Sequence, residues 1–274
     1  MALRRPLIAA VCLALALSAG LLLAPREQEA RAALPNQAVL TYDLRLGGFD
    51  IGRAEVAVAL PPSVAEGPYR ITTDVAASGM LSVFTDFRSS AATDGALAGA
   101  TVRPRLHEVA NVWRGETRQV RLAYDDTAPM PEALVDPPPD ADEREPVDPS
   151  DTAGSVDPLS GVLQLVADGD GEAGPVKIFD GRRLYTLALD DPEPAAASVG
   201  GFSGPALRAD LRYERLGGAS RKWDSRKEAT ASVTLAPPAA LGLPVAVPLR
   251  VVVPTTGFGG FIIELAEVRT GTAG

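Results

Sequence analysis

The chain has 274 residues, 35 acidic against 26 basic side chains, a formal net charge of −9, one histidine and one cysteine. An acidic body lacks the basic footprint that displaces phosphate counterions, so nucleic acid is excluded as a partner. With 24 prolines and 26 glycines the chain is punctuated too often for long helices.

Arg4 and Arg5 precede an apolar run at 7–24, a polar stretch follows, and Ala30-Arg31-Ala32 supplies the small-x-small pattern of a processing site. Residues 1–32 are therefore expected to be a signal peptide and the protein to be periplasmic. The alternative is an uncleaved inner-membrane anchor, since the run is about long enough to span a bilayer. Removing 1–32 takes away Cys12, so the body 33–274 offers no disulfide, no thiolate metal site and no cysteine nucleophile. It becomes more acidic still, because four arginines leave with two glutamates.

The body reads as strands. Tyr42, Leu44 and Leu46, then Ala54, Val56, Val58 and Leu60, alternate with polar residues on both sides of Gly47-Gly48, the mark of a hairpin with one dry face. Alternation recurs at Tyr69, Ile71, Thr73 and Val75, and strands follow at 83–93, 101–113 and up to Tyr124. From 125 to 157 prolines and acids dominate, which predicts a disordered insertion within a single β domain at 33–274. Asp157-Pro158 then opens the one convincing helix, with an N-cap acid, proline at the first helical position, and Leu159, Val162, Leu163 and Val166 at i, i+3, i+4 and i+7. Gly161 should weaken it by about 1 kcal/mol relative to alanine. Strands resume at 176–179 and 183–189. The clearest alternation is Leu207, Ala209, Leu211 and Tyr213, followed by Ala231, Val233 and Leu235. Val245, Val247, Leu249, Val251 and Val253 form another strand, where Pro244 and Pro248 suggest a sheet edge, and a glycine-rich turn leads into 261–268. About a dozen strands with short connections predict an all-β antiparallel fold, a curved open barrel or clam-like sheet with one packed helix.

Chemistry-bearing patterns are sparse. His107 stands in a strand with no Gly-x-Ser-x-Gly elbow to serve, and Gly201-Phe202-Ser203-Gly204 is a glycine-rich turn. One imidazole without thiols cannot close a zinc tetrahedron. Asp168, Asp170 and Glu172 alternate on a short turn that Gly174-Pro175 cuts off before a calcium loop is complete. No catalytic residue, metal or cofactor is predicted. The 208–227 stretch concentrates cations, among them Arg212, Arg215 and Arg221, and 78–84 holds Met80, Leu81 and Phe84, more apolar than a turn requires.

The succession 42–52, then 89–95 ahead of Pro104, Val156-Asp157-Pro158-Leu159-Ser160, Phe179-Asp180-Gly181-Arg182-Arg183-Leu184-Tyr185, and Leu243-Pro244-Val245 before a glycine-rich last hairpin resembles the DUF3108 family of exported bacterial proteins over about 38–268. The resemblance implies an all-β domain in a bacterial cell envelope and brings no catalytic residue with it. Together these features predict a non-enzymatic periplasmic protein that binds or carries an apolar or amphiphilic envelope molecule such as a lipid or glycolipid. Met80, Leu81 and Phe84 would line the mouth of its pocket, and Arg212, Arg215 or Arg221 would meet an anionic head group. The alternative is an envelope scaffold with a filled barrel that recruits a protein partner through its acidic Pro-rich loop.

Overall fold

The computed structural model describes residues 36–64, 66–83, 85–99, 101–140, 142, 144–167, 174–221, 227–255 and 259–272. The expected signal peptide, the acidic turn at 168–172 and Phe84 lie outside these. Among the described residues thirteen strands form one antiparallel sheet. A meander of β1 (Asn36–Leu46), β2 (Phe49–Leu60), β3 (Glu66–Ala77), β4 (Arg88–Ala98), β5 (Thr101–Trp113), β6 (Glu116–Ala123) and β7 (Glu132–Asp136) makes one half. The helix α1 (Pro158–Ala167) leads into a second meander of β8 (Val176–Phe179), β9 (Leu184–Val199), β10 (Phe202–Gly217), β11 (Glu228–Ala236), β12 (Val247–Pro254) and β13 (Gly260–Thr272). The halves join where β13 pairs with β1, leaving β7 and β8 as the two ends of the sheet.

Hydrogen bonding does not close the barrel; side chains do. Val120 and Leu122 of β6 pack in one buried cluster with Phe179 of β8 and Leu184 of β9, with Val135 of β7 against it. The two ends approach so closely that a Cβ on Gly181, which has φ +83°, would lie 2.5 Å from Cγ1 of Val120. Alternation then sends every second residue into a shared interior: Tyr69, Ile71, Thr73 and Val75 of β3 are buried, as are Leu40, Tyr42, Leu44 and Leu46 of β1.

Three sequence expectations change. The 125–157 segment, predicted to be disordered, contains β7, a 3-10 turn at Pro149–Thr152 and two isolated bridges, Arg144 to Ser220 and Val156 to Ile178. Two of its acids are exposed yet bonded locally: Asp125 accepts the amide and the hydroxyl of Thr127, Asp148 accepts the hydroxyl and the amide of Ser150, and these bonds hold both carboxyls below their usual range. The β12 strand is not an edge but lies between β11 and β13. Pro248 is tolerated because it sits where the β11–β12 register shifts, so its missing N–H interrupts a ladder already broken there. Its carbonyl accepts the Tyr42 hydroxyl at 3.0 Å. In addition, the strand expected from 83 begins only at Arg88, after a 3-10 turn at Gly79–Val83.

The helix occupies one end of the interior. Asp157 Oδ1 accepts the amides of Leu159 and Ser160 at 3.0 and 3.1 Å, which fixes the start that the Asp-Pro pair predicts. The Val166 carbonyl at the other end accepts the amide of Ala246 at 3.1 Å, just before β12. Gly161 proves to be a packing glycine: a Cβ there would lie 2.5 Å from Cδ1 and 2.7 Å from Cγ1 of Ile178, which has no exposed surface. Steric conflict in a filled core outweighs helix propensity here. Gly161→Ala should therefore destabilise the protein by about 1–3 kcal/mol in urea unfolding, opposite in sign to its effect on an isolated helix.

Candidate functional site

The interior is not filled. Between α1 and the strands lies a cavity of about 210 Å³. One row of its wall follows the register: Leu44 of β1 is opposite Ile263 of β13, Ile263 opposite Val251 of β12, and Val251 opposite Val233 of β11. Leu211 and Tyr213 continue the wall on β10, and Val56 on β2. These positions obey the inward alternation of their strands, yet Val56, Leu211, Tyr213, Val251 and Ile263 are only half-buried. An inward apolar side chain that keeps solvent exposure marks space its neighbours do not occupy. The alternation was legible in the sequence. Whether the inward rows would meet was not.

Two cations reach the wall. Arg183 is held by Asp180 at 2.7 Å, and Arg250 by Glu264 at 3.3 Å. Of the six residues predicted for ligand binding, Leu81, Arg212, Arg215 and Arg221 do not line the cavity, and Phe84 and the Met80 side chain lie outside the described residues. Leu81 is half-buried in the 3-10 turn that packs against β2, and Met80 lies in the same turn with its side chain outside the description. Arg212 is exposed and tied to Asp190, Nε to Oδ2 at 2.6 Å, a pairing that raises the guanidinium and lowers the carboxyl. Arg221 is exposed in the β10–β11 connection. Arg215 shares the inward row of β10 with Leu211 and Tyr213, opposite Tyr185 of β9, but stops short of the cavity.

Beside the cavity, at the start of α1, lies a buried polar cluster that sequence reasoning divided into a helix cap and a lone histidine. Thr93 of β4 and His107 of β5 are register partners. The Thr93 hydroxyl has one proton, which it gives to Asp157 Oδ1 at 2.8 Å. Its 2.5 Å contact with His107 Nδ1 must then be donated by the ring, so Nδ1 carries the imidazole proton. Ser160 Oγ donates to Asp157 Oδ2 and lies 2.6 Å from the Tyr69 hydroxyl. Asp157 and Ser160 have no exposed surface and His107 only 2%.

The chemistry of the cluster follows from this wiring. Ser160 and His107 are both hydrogen-bonded through Asp157, so the arrangement fastens a helix to a hairpin and does not set a base against a nucleophile. The 3.2 Å separation of His107 Nδ1 and Asp157 Oδ1 invites an ion-pair description. Burial, however, outweighs the nearby carboxylate and lowers the imidazole below its ordinary range, so the ring is neutral at pH 7. The Tyr69 phenol is raised, first by burial and then by Asp157. Burial raises Tyr124 and Tyr185 as well, with Asp157 adding to Tyr124 and Asp180 to Tyr185, and among the described residues neither hydroxyl has a hydrogen-bond partner. Among the described residues no three His, Cys, Asp or Glu side chains converge as a metal site.

A histidine neutral in the fold but free to protonate when unfolded adds stability that is fully present above its unfolded pKa, about 6.5, and is lost as pH falls below it. Urea unfolding at pH 7.5 and 5.5 should show a loss approaching about 1.4 kcal/mol per pH unit below that value. His107→Gln, which cannot titrate, should flatten this segment of the curve.

The family model described as "Protein of unknown function (DUF3108)" matches residues 41–191, more than half of the chain. No curated protein matches. Two solved chains do, among them the crystal structure of a beta-barrel-like protein of domain of unknown function DUF1849 from Brucella abortus. The similarity to that protein is 11% identity over 88% of this chain and 100% of the other, with a TM-score of 0.46.

Proposed function

This chain belongs to the DUF3108 family, whose description states no activity, and we propose that it is a non-enzymatic envelope protein that binds an apolar or amphiphilic molecule inside its sheet. The observation that carries the reading is the row of inward, half-buried apolar side chains around an unfilled cavity of about 210 Å³. A dry apolar cavity of about 150 Å³ accepts benzene, so this one takes on the order of eight carbon-sized atoms. That is a short alkyl segment, not a whole lipid. Burying eight methylenes at about 0.8 kcal/mol each gives affinities on the order of tens of micromolar. The export pattern of residues 1–32 supports a periplasmic site of action, where such molecules are exchanged.

The scaffold alternative needs a filled interior, which the cavity does not favour, although the acids of its loop, Asp125 and Asp148 among them, are exposed. On the carrier reading, head-group contacts fall to residues that reach the wall, Arg183 and Arg250, in preference to Arg212 and Arg221 on the outside.

Titration of the purified chain with naphthalene, a fluorescent apolar dye of ten carbons, should show saturable binding. Val251→Phe, which places a ring in the space beside Ile263, should weaken that binding about tenfold or more while the melting temperature stays level or rises, because the added volume enters a void. Undiminished dye binding in this variant would refute the cavity as the binding site.

A further inference from the structure

One end of the sheet finishes in exposed apolar side chains. The last turn of α1 meets Ala246, just before β12, whereas the far end of β12 pairs Pro254 with Gly260, and the Gly260 carbonyl accepts the Gly47 amide. The β1–β2 turn therefore lies at the end away from the close of the helix. There Phe49 is the register partner of Leu46, and Leu46 of Phe261, so the three share the inward face. Leu46 and Phe261 belong to the buried core, yet Phe49 is 62% exposed. The β3–β4 connection is fastened beside it: the Ser78 amide donates to the Ile51 carbonyl at 3.0 Å, and a Cβ on Gly79 would lie 2.6 Å from the Asp50 carbonyl oxygen. Its 3-10 turn presents Val83 at 78% exposure. At the foot of the same connection Phe87 packs on the core and meets the Trp113 ring edge-on at 5.6 Å, and Trp113 is 40% exposed.

Charge and size narrow the partner. Asp50 is paired with Arg45 at 3.0 Å, and Asp86 accepts the Arg114 and Gly115 amides at 2.7 and 3.1 Å. Arg88 and Arg114, next in sequence to Phe87 and Trp113, are exposed, have no ion-pair partner among the described residues, and outnumber Glu116, the exposed acid beside them. A stable protein interface takes about 20 residues a side, far more than this patch offers. A bilayer needs only a few inserted apolar side chains, with aromatic rings at head-group depth and long cationic side chains reaching phosphate. We propose that this end of the molecule docks on a phospholipid surface, with Phe49, Val83 and Trp113 entering the interfacial layer and Arg88 and Arg114 meeting its phosphates. The assignment goes beyond the cavity reading and does not depend on it.

The thirteen-stranded sheet lies wholly within 36–272, so residues 33–274, free of the apolar run at 7–24, suit the test. With Trp223→Phe, Trp113 is the only tryptophan. Vesicles of phosphatidylethanolamine and phosphatidylglycerol should shift its emission to shorter wavelength, and brominated acyl chains should quench it. Phe49→Ser with Val83→Ser should weaken vesicle binding about tenfold, and Arg88→Gln with Arg114→Gln about fivefold. Each pair should melt within about 2 °C of its parent, since all four side chains are exposed. Absence of vesicle binding, an unquenched Trp113, or undiminished binding in either pair would overturn the proposal. So would dimerisation that Phe49→Ser with Val83→Ser abolishes, which would assign this end to a second copy of the chain. Naphthalene binding, measured on the same proteins, reports on the cavity separately, so either reading can fail while the other stands.

Discussion

The buried carboxylate of Asp157 fastens the two kinds of structure in this molecule to each other. It caps α1 through two backbone amides and, from the same oxygen, accepts the Thr93 hydroxyl that His107 in turn supports. A carboxylate with no exposed surface is tolerable only when its lone pairs are filled, and here a helix end and a β-hairpin fill them together. The helix cannot slide along the interior without stranding a charge. Its position, and with it the floor of the cavity, is set by hydrogen bonds that have direction, where apolar packing alone would allow repacking.

The sheet around it is held differently. Thirteen strands curl until β6 and β7 face β8 and β9, and the seam between them is sealed by Val120, Leu122, Phe179 and Leu184. A barrel closed by hydrogen bonds has its diameter fixed by strand number and shear. One closed by side chains has a diameter set by what fits at the seam and across the middle. The unfilled volume beside α1 is a consequence of that: the inward rows of β1, β10, β12 and β13 leave space between themselves and α1 that their side chains do not fill.

Much of the fold was legible because a sheet with one dry face writes a period of two into its sequence. Tyr69 through Val75 and Leu207 through Tyr213 state their pairing faces without help from context, although a register shift between Arg208 and Asp210 interrupts the second row. The Asp157-Pro158 helix start is equally local. Prolines misled, because their effect depends on pairing: Pro248 is harmless inside the sheet at a bulge, and the proline-rich 125–157 segment is pinned by contacts to residues far along the chain, such as Glu145 to Ala219. Cations misled for a similar reason. Arg212 was legible as a charge, but its exposed pairing with Asp190 became visible only when β9 and β10 lay side by side.

Local patterns were enough for most of the strands, their dry faces, the helix start and the lack of a thiol in residues 33–274, since each depends on residues within a few positions of one another. Long-range contacts alone settle which dry faces meet, that Thr93, His107, Asp157 and Ser160 share one buried cluster, and that the meeting faces leave room between them. Those outcomes depend on distances between residues tens of positions apart, which are set by sheet curvature and by the seam. A linear pattern of alternating polarity fixes which way a side chain points and carries no measure of how far away its opposite neighbour stands.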